Sequence, residues 1–195
     1  MAEEARGHRH VPFGELHTPG GYLNGEVASA MQKAIRRGEE RPALFWASEL
    51  DLAGYGNYVW KRLRIIASED VGLADPDAVQ TVRALWENWQ DAKKAKDEGA
   101  MPLFLAHAVL VLVRAKKSGV ALYATFAFWM GDRKGMGMEI PDHALDLFTA
   151  RGRRMGRKGE AGKRFFLDES GKLANEKLPN PYREEGGRAW FDSTS

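Results

Sequence analysis

The chain has 195 residues, 29 Lys and Arg against 27 Asp and Glu for a net charge of +2, six Trp and no Cys. Such a length suits one domain, or one domain with a tail, and buries a sizeable core. The absence of Cys excludes disulfides, thiolate metal sites and cysteine nucleophiles, and a balanced charge does not by itself announce a nucleic-acid binder.

Residues 1–23 carry Gly, Pro and three His (His8, His10, His17) with little periodicity, and read as an irregular arm. From Gly25 to Arg37, the apolar Val27, Ala30, Met31, Ala34 and Ile35 recur at helical spacing with Lys33, Arg36 and Arg37 outward, and Gly38 ends this first helix. Pro42 starts a second helix with Leu44, Phe45, Ala47, Ser48, Leu50 and Leu52 on its apolar side as far as Gly54. A third spans residues 57–68 with Val59, Leu63, Ile66 and Ala67 inward. Gly72 can follow its end in a left-handed conformation, Asp75 can cap the next helix, and Pro76 suits a first helical position.

That fourth helix is predicted to run to about Glu98, about 33 Å, with Val79, Val82, Leu85, Trp86 and Trp89 as its apolar stripe. Pro102 opens a fifth, apolar nearly all round (Leu103, Phe104, Ala106, Leu110, Val111, Val113), the pattern of a central core helix with His107 as a hydrogen-bonded core residue. A sixth spans about Ser118 to Trp129. Trp86, Trp89 and Trp129 read as core or subunit-contact residues. After the Gly-rich loop around Gly131, Gly135 and Gly137, Pro141 is expected to start a helix carrying Leu145, Leu147 and Phe148. The tail from about residue 171 reads as extended chain anchored by Tyr182, Trp190 and Phe191. No stretch alternates like a strand. The expected fold is all-α: a compact bundle of about six or seven helices with an irregular basic C-terminal segment, arranged as an arm (1–23), a helical domain (24–150) and a basic loop with an extended tail (151–195).

Three clusters bear on chemistry. Arg151, Arg153, Arg154, Arg157, Lys158, Lys163 and Arg164 face one acid, Glu160, and are interleaved with Gly152, Gly156, Gly159 and Gly162. Such cations neutralise phosphates, and flexible glycines let a loop follow a backbone, so this segment is a DNA-binding candidate; a solvated loop, or pairing with acids of a neighbouring subunit, is the commoner explanation of such a charge run. Lys61, Arg62 and Arg64 are the second cluster, able to reach phosphates or to pair with Glu69 and Asp70, the latter being favoured. Asp142, His143 and Asp146 lie near the start of one expected helix, where they cap it or contribute an incomplete metal site. His8 and His10 would bind a transition metal only adventitiously.

The run Ile65-Ile66-Ala67-Ser68-Glu69-Asp70-Val71-Gly72-Leu73-Ala74-Asp75-Pro76 also carries a family resemblance. Together with Ala30 to Gly38 (AMQKAIRRG), Pro42 to Leu50 (PALFWASEL), Trp60 to Ile66 (WKRLRII) and Ala115 to Tyr123 (AKKSGVALY), it resembles the helical C-terminal region of the RarA/MgsA family, clamp-loader-like AAA+ ATPases of replication-fork maintenance. The resemblance covers roughly residues 24–130. In that family this region follows the ATPase motor and lid and mediates tetramer assembly. Neither nucleotide motif is present here: Gly159-Glu160-Ala161-Gly162-Lys163-Arg164 has the wrong Gly spacing and an Arg after the Lys. The chain is therefore expected not to hydrolyse ATP and to need no cofactor.

The N-terminal residues Met1 to His8 lack a signal pattern, and the longest apolar run, Ala106 to Val113, is interrupted by His107 and too short to span a bilayer. The expectation is a soluble cytoplasmic protein that does not engage membranes. As a function, the resemblance implies a non-enzymatic module of replication and recombination, self-associating into a homo-oligomer and contacting DNA, an AAA+ ATPase or another replication protein. A structural oligomer without DNA binding is the alternative, and a metal-dependent hydrolase using Asp142, His143 and Asp146 is a third.

Overall fold

A computed structural model of the chain describes residues 11–132 and 135–192. The chain divides into two units, Met1–Asp132 and Arg133–Ser195. The first carries α1 (Asn24–Arg37), α2 (Glu40–Leu50), α3 (Gly56–Ile66), α4 (Pro76–Ala95), α5 (Ala100–Arg114) and α6 (Val120–Thr125). The second carries α7 (Ala150–Arg154), α8 (Gly159–Phe165) and α9 (Arg183–Asp192). No β-strand occurs among the described residues, only an isolated bridge between His17 and Leu23, so the fold is the all-α bundle expected.

In the first unit α1 buries Val27, Met31, Ala34 and Ile35 at helical spacing and stops at Gly38, whose φ of 75° directs its N–H back to the Ala34 and Ile35 carbonyls. Here α3 and α5 share the centre: Val59, Trp60, Leu63 and Ile66 of α3 are wholly buried, and each of the two helices touches α1, α2 and α4 as well as the other. Burying four such side chains contributes on the order of 1.5–3 kcal/mol each. The central place expected of α5 is met by these contacts, but its apolar surface is not buried all round: α5 buries Leu105, Ala108, Val109, Leu112 and Val113 and leaves Leu103 and His107 facing solvent. His107 is thus a surface residue, not a core one. The arm over residues 11–23 packs down: the Phe13 ring lies 5.0 Å from that of Tyr55 and 4.3 Å from that of Tyr58, and the Gly20 N–H donates to Glu49.

Asp75 caps α4 by accepting from the Ala78 N–H at 3.1 Å, with Pro76 at the first helical position, as the sequence predicts. The helix closes at Ala95, earlier than Glu98, because Lys96 turns left-handed (φ 56°) and the Asp97 carboxylate takes the Gly99 and Ala100 N–H groups, starting α5. Before it, α3 runs on through a π turn, Ala67–Val71, into Gly72. Gly72 has φ 47° and ψ −119°, outside the left-handed helical region expected of it and accessible essentially to glycine alone.

The second unit departs from expectation in three places. Pro141 starts no helix beyond the single 3₁₀ turn Asp142–Ala144. The carbonyls a helix would need are taken by arginines: Arg157 donates to the Asp142 and Leu145 oxygens at 2.8 and 2.7 Å, and Arg153 to those of Leu147 and Phe148. The basic segment is not a loop, since α7 and α8 occupy most of it. The tail is not extended throughout either: it closes with α9, where the Trp190 ring meets that of Phe166 at 5.4 Å while Tyr182 stays exposed and anchors nothing.

Candidate functional site

Three of the runs that carried the family resemblance meet in one polar clasp. Arg36 of α1 donates to Asp70 at 2.7 Å and to Glu69 at 3.0 Å in the turn after α3, and these bonds, Asp70 first, hold its guanidinium pKa above the ordinary value. The Asp70 carbonyl accepts from the Ser118 N–H at 2.9 Å, and the Ser118 hydroxyl accepts from Val120 at the start of α6. Next to it, the Lys117 ammonium donates to the Leu112, Val113 and Ala115 carbonyls, closing the C-terminal end of α5. Burial lowers the Lys117 pKa, against the opposing pull of Asp70 and Asp75. These groups therefore fix three chain crossings together. Glu69 and Asp70 pair with Arg36 and not, as expected, with Lys61 or Arg64.

Released from that pairing, the α3 cations do other things. Arg62 donates to the Gln32 side chain on α1, and Arg64 lays its guanidinium 4.3 Å from the Trp86 ring centroid. Lys61 is exposed and makes no ion pair among the described residues. Lys61 and Arg64 stand on the rim of a cleft of about 1500 Å³ between α3, α4 and α6, whose lining includes Ile65, Val79, Trp86, Leu122, Phe126 and Met130.

The outer side of α6 and the turn following it is a feature that residue-by-residue reading passed over. Val120, Tyr123, Phe128, Trp129 and Met130 are each more than half exposed within one short run. The signal was present in Phe126-Ala127-Phe128-Trp129-Met130, five apolar residues in succession on a helix that needs only one buried side. Trp89 is a core residue 6.0 Å from Trp60, and Trp86 is half-buried, but Trp129 is open to solvent.

In the second unit the seven candidate cations divide. Arg157 pairs with Asp142 through both carboxylate oxygens at 2.7 Å and stacks 3.6 Å from the Phe165 ring, and Lys163 is buried with its ammonium on the Trp190 carbonyl. Arg153 holds two backbone carbonyls, and Arg164 pairs with Glu160 across one helical turn. Arg151, Arg154 and Lys158 project into solvent. Two of the glycines between them, Gly152 and Gly162, are close-packed, whereas Gly156 and Gly159 have open space around them and take positive φ. A Cβ on Gly162 would lie 2.7 Å from the Arg157 backbone and 2.8 Å from the Leu147 Cβ, and one on Gly152 would overlap the Asp146 and Leu145 carbonyls.

Asp142, His143 and Asp146 do not share a helix. Asp142 is bound by Arg157, the Asp146 carboxylate accepts from the Phe148 N–H, and the His143 carbonyl accepts from Ser170. Neither acid caps a regular helix, and no group of three His, Asp or Glu suited to a metal occurs among the described residues. His8 and His10 lie outside the described residues. No described helix is long and apolar enough to cross a membrane.

Residues 39–186 match a family described as MgsA AAA+ ATPase C terminal, a match that runs well past the motifs ending near residue 130. The chain is 34% identical over 133 residues to replication-associated recombination protein A of Escherichia coli (strain K12), covering 67% of this chain and 29% of that protein. To the protein of the same name from Bacillus subtilis (strain 168) it is 30% identical over 171 residues, covering 87% of this chain and 39% of that one. An uncharacterised AAA domain-containing protein of Mycobacterium tuberculosis is 32% identical over 125 residues, 62% of this chain and 26% of that protein. The chain spans about a third of the length of the curated relatives it matches. Motifs that converge on one clasp, an all-α bundle and a family match across most of the described chain agree: this chain belongs to the MgsA AAA+ ATPase C-terminal family, which is linked to replication-associated recombination.

Proposed function

We propose that this chain is a non-enzymatic module of DNA replication and recombination that works by self-association and by contact with DNA or a replication protein. The observation that carries the reading is the exposed apolar run from Val120 to Met130, since apolar side chains gathered in one patch on a folded domain mark a contact surface. The names of the relatives supply the setting, and an AAA+ ATPase of the same family is the first replication protein to test as a partner in trans. DNA contact is assigned to Arg151, Arg154 and Lys158, whose charges are not committed to carbonyls or carboxylates within the second unit.

The test is fluorescence anisotropy of labelled single-stranded, duplex and forked DNA across a salt series, with sedimentation velocity on the same samples. The triple variant Arg151→Glu, Arg154→Glu, Lys158→Glu is expected to lose retention at low salt, because three phosphate contacts set a slope of roughly −2 in log K against log salt for a single strand. Unchanged affinity would remove DNA contact from the reading. A structural oligomer without DNA binding is the second reading, favoured by the commitment of Arg153, Arg157 and Lys163 to intramolecular bonds. It predicts assembly, weakened by Trp129→Glu, with no DNA retained at any salt concentration.

A further inference from the structure

The cleft between α3, α4 and α6 has two facing apolar walls. Leu122 and Phe126, four residues apart, form a stripe on the α6 side, opposite Ile65, Val79 and Trp86, and the largely exposed Met130 lies at the open end of the cleft. We propose that this cleft seats an amphipathic helix of a protein partner, about three turns long, whose apolar stripe is flanked by acidic side chains. The inference deepens the proposed function by naming the chemistry of one protein contact; it rests on the protein-contact part of that reading and not on DNA contact.

Size, shape and charge each limit the occupant. A helix 10–12 Å across rising 1.5 Å per residue fills roughly 120–170 Å³ per residue, so a cleft of about 1500 Å³ takes about ten residues. No strand edge occurs among the described residues for an extended peptide to join, whereas walls built from helices suit an i, i+3, i+4, i+7 anchor pattern. The two acids of the lining are neutralised, Glu69 by Arg36 at 3.0 Å and Glu87 by Arg83 at 3.0 Å. Among the described residues Lys61 and Arg64 have no acid of their own, and Arg64 is held over Trp86, so the rim presents net positive charge around an apolar floor. Acidic flanks complement that rim, and basic flanks would be repelled. Bases of a nucleic acid fit less well, because the Trp86 face on which one would stack is already covered by Arg64.

The probe is a fluorescein-labelled 14-residue synthetic helix with Leu at helical spacing and Glu on both flanks, titrated by anisotropy into the full chain. An otherwise identical helix carrying Lys in place of Glu, and a labelled oligothymidylate, serve as comparisons. The expected result is saturable binding of the acidic helix alone, weakened about tenfold by Lys61→Glu with Arg64→Glu, and a shift of the Trp86 indole N–H resonance, assigned through Trp86→Phe. Leu122→Asp should abolish binding; because it also risks the fold, the two surface charge reversals carry the decision. The proposal is overturned if neither helix binds, if both bind equally, or if the oligothymidylate binds in their place and is lost with Lys61→Glu and Arg64→Glu. The Arg151, Arg154 and Lys158 variant reports on DNA contact separately, so failure of one reading leaves the other standing or falling on its own data.

Discussion

Gly152 sits in the only turn of α7, where its missing Cβ allows the helix to lie against the backbone of residues 145 and 146. In an exposed helix an alanine would stabilise by up to about 1 kcal/mol. Here the added methyl meets backbone carbonyls that cannot swing away, so Gly152→Ala is expected to cost about 3 kcal/mol, read as a lower melting point of the second unit in thermal unfolding. Asp51, in the link after α2, makes the converse case. Burial raises its carboxyl pKa, so in the window between the ordinary carboxylate value and the raised one the folded chain binds more protons than the unfolded chain. Its ionised form therefore weighs against folding above that window, and stability is regained as pH falls through it. Asp51→Asn should unfold at higher denaturant than the parent at pH 7, with the advantage shrinking toward pH 4; an advantage that stays constant with pH would dismiss this reading.

Between residues and whole units, what could be read from sequence follows how far the deciding interaction reaches. Gly38, Asp75 and Pro76 act on their own helix ends, and the apolar spacing of α1, α3 and α4 reports their own buried sides, so these elements were legible. The helix expected after Pro141 fails because Arg157, fifteen residues on, takes its carbonyls, and no local pattern encodes that. Gly152 and Gly162 of the basic segment read as flexible when only their neighbours in sequence are considered, and as close-packing residues once the backbone across from them is placed. The clasp is similar: Arg36, Asp70 and Ser118 carried the family signature, yet the pairing of Asp70 with Arg36 across 34 residues was not visible, and nearer cations were chosen for it. Asp70 is buried, and among the described residues Arg36 is its only side-chain ion partner. Arg36→Ala is thus expected to cost about 2 kcal/mol by leaving a buried carboxylate unpaired, and Asp70→Asn on the Arg36→Ala background should recover part of that loss in urea unfolding. Equal effects of Arg36→Ala with and without Asp70→Asn would show the pair to be uncoupled.

At the scale of the molecule the two units differ in what holds them. The first contains nearly all the buried apolar side chains, with wholly buried residues on α1, α2, α3, α4 and α5. The second buries Leu145, two glycines and Lys163, and relies on arginine-to-carbonyl bonds and edge-to-face rings, Phe148 on Phe166 on Trp190. Cooperative unfolding follows the apolar core, so the fragment 1–132 is expected to fold alone with a single sharp thermal transition, while amides of the second unit exchange with deuterium faster than those of α3 in the full chain. The division also separates the proposed contacts. The apolar run of α6 and the cleft beside it belong to the first unit; Arg151, Arg154 and Lys158 belong to the second. Fragment 1–132 should therefore keep concentration-dependent assembly in sedimentation velocity while losing most of the salt-sensitive DNA retention of the full chain. If the fragment instead retains DNA with the same salt slope, the contact lies with Lys61 and Arg64 on α3, and the exposed cations of the second unit are a solvated surface.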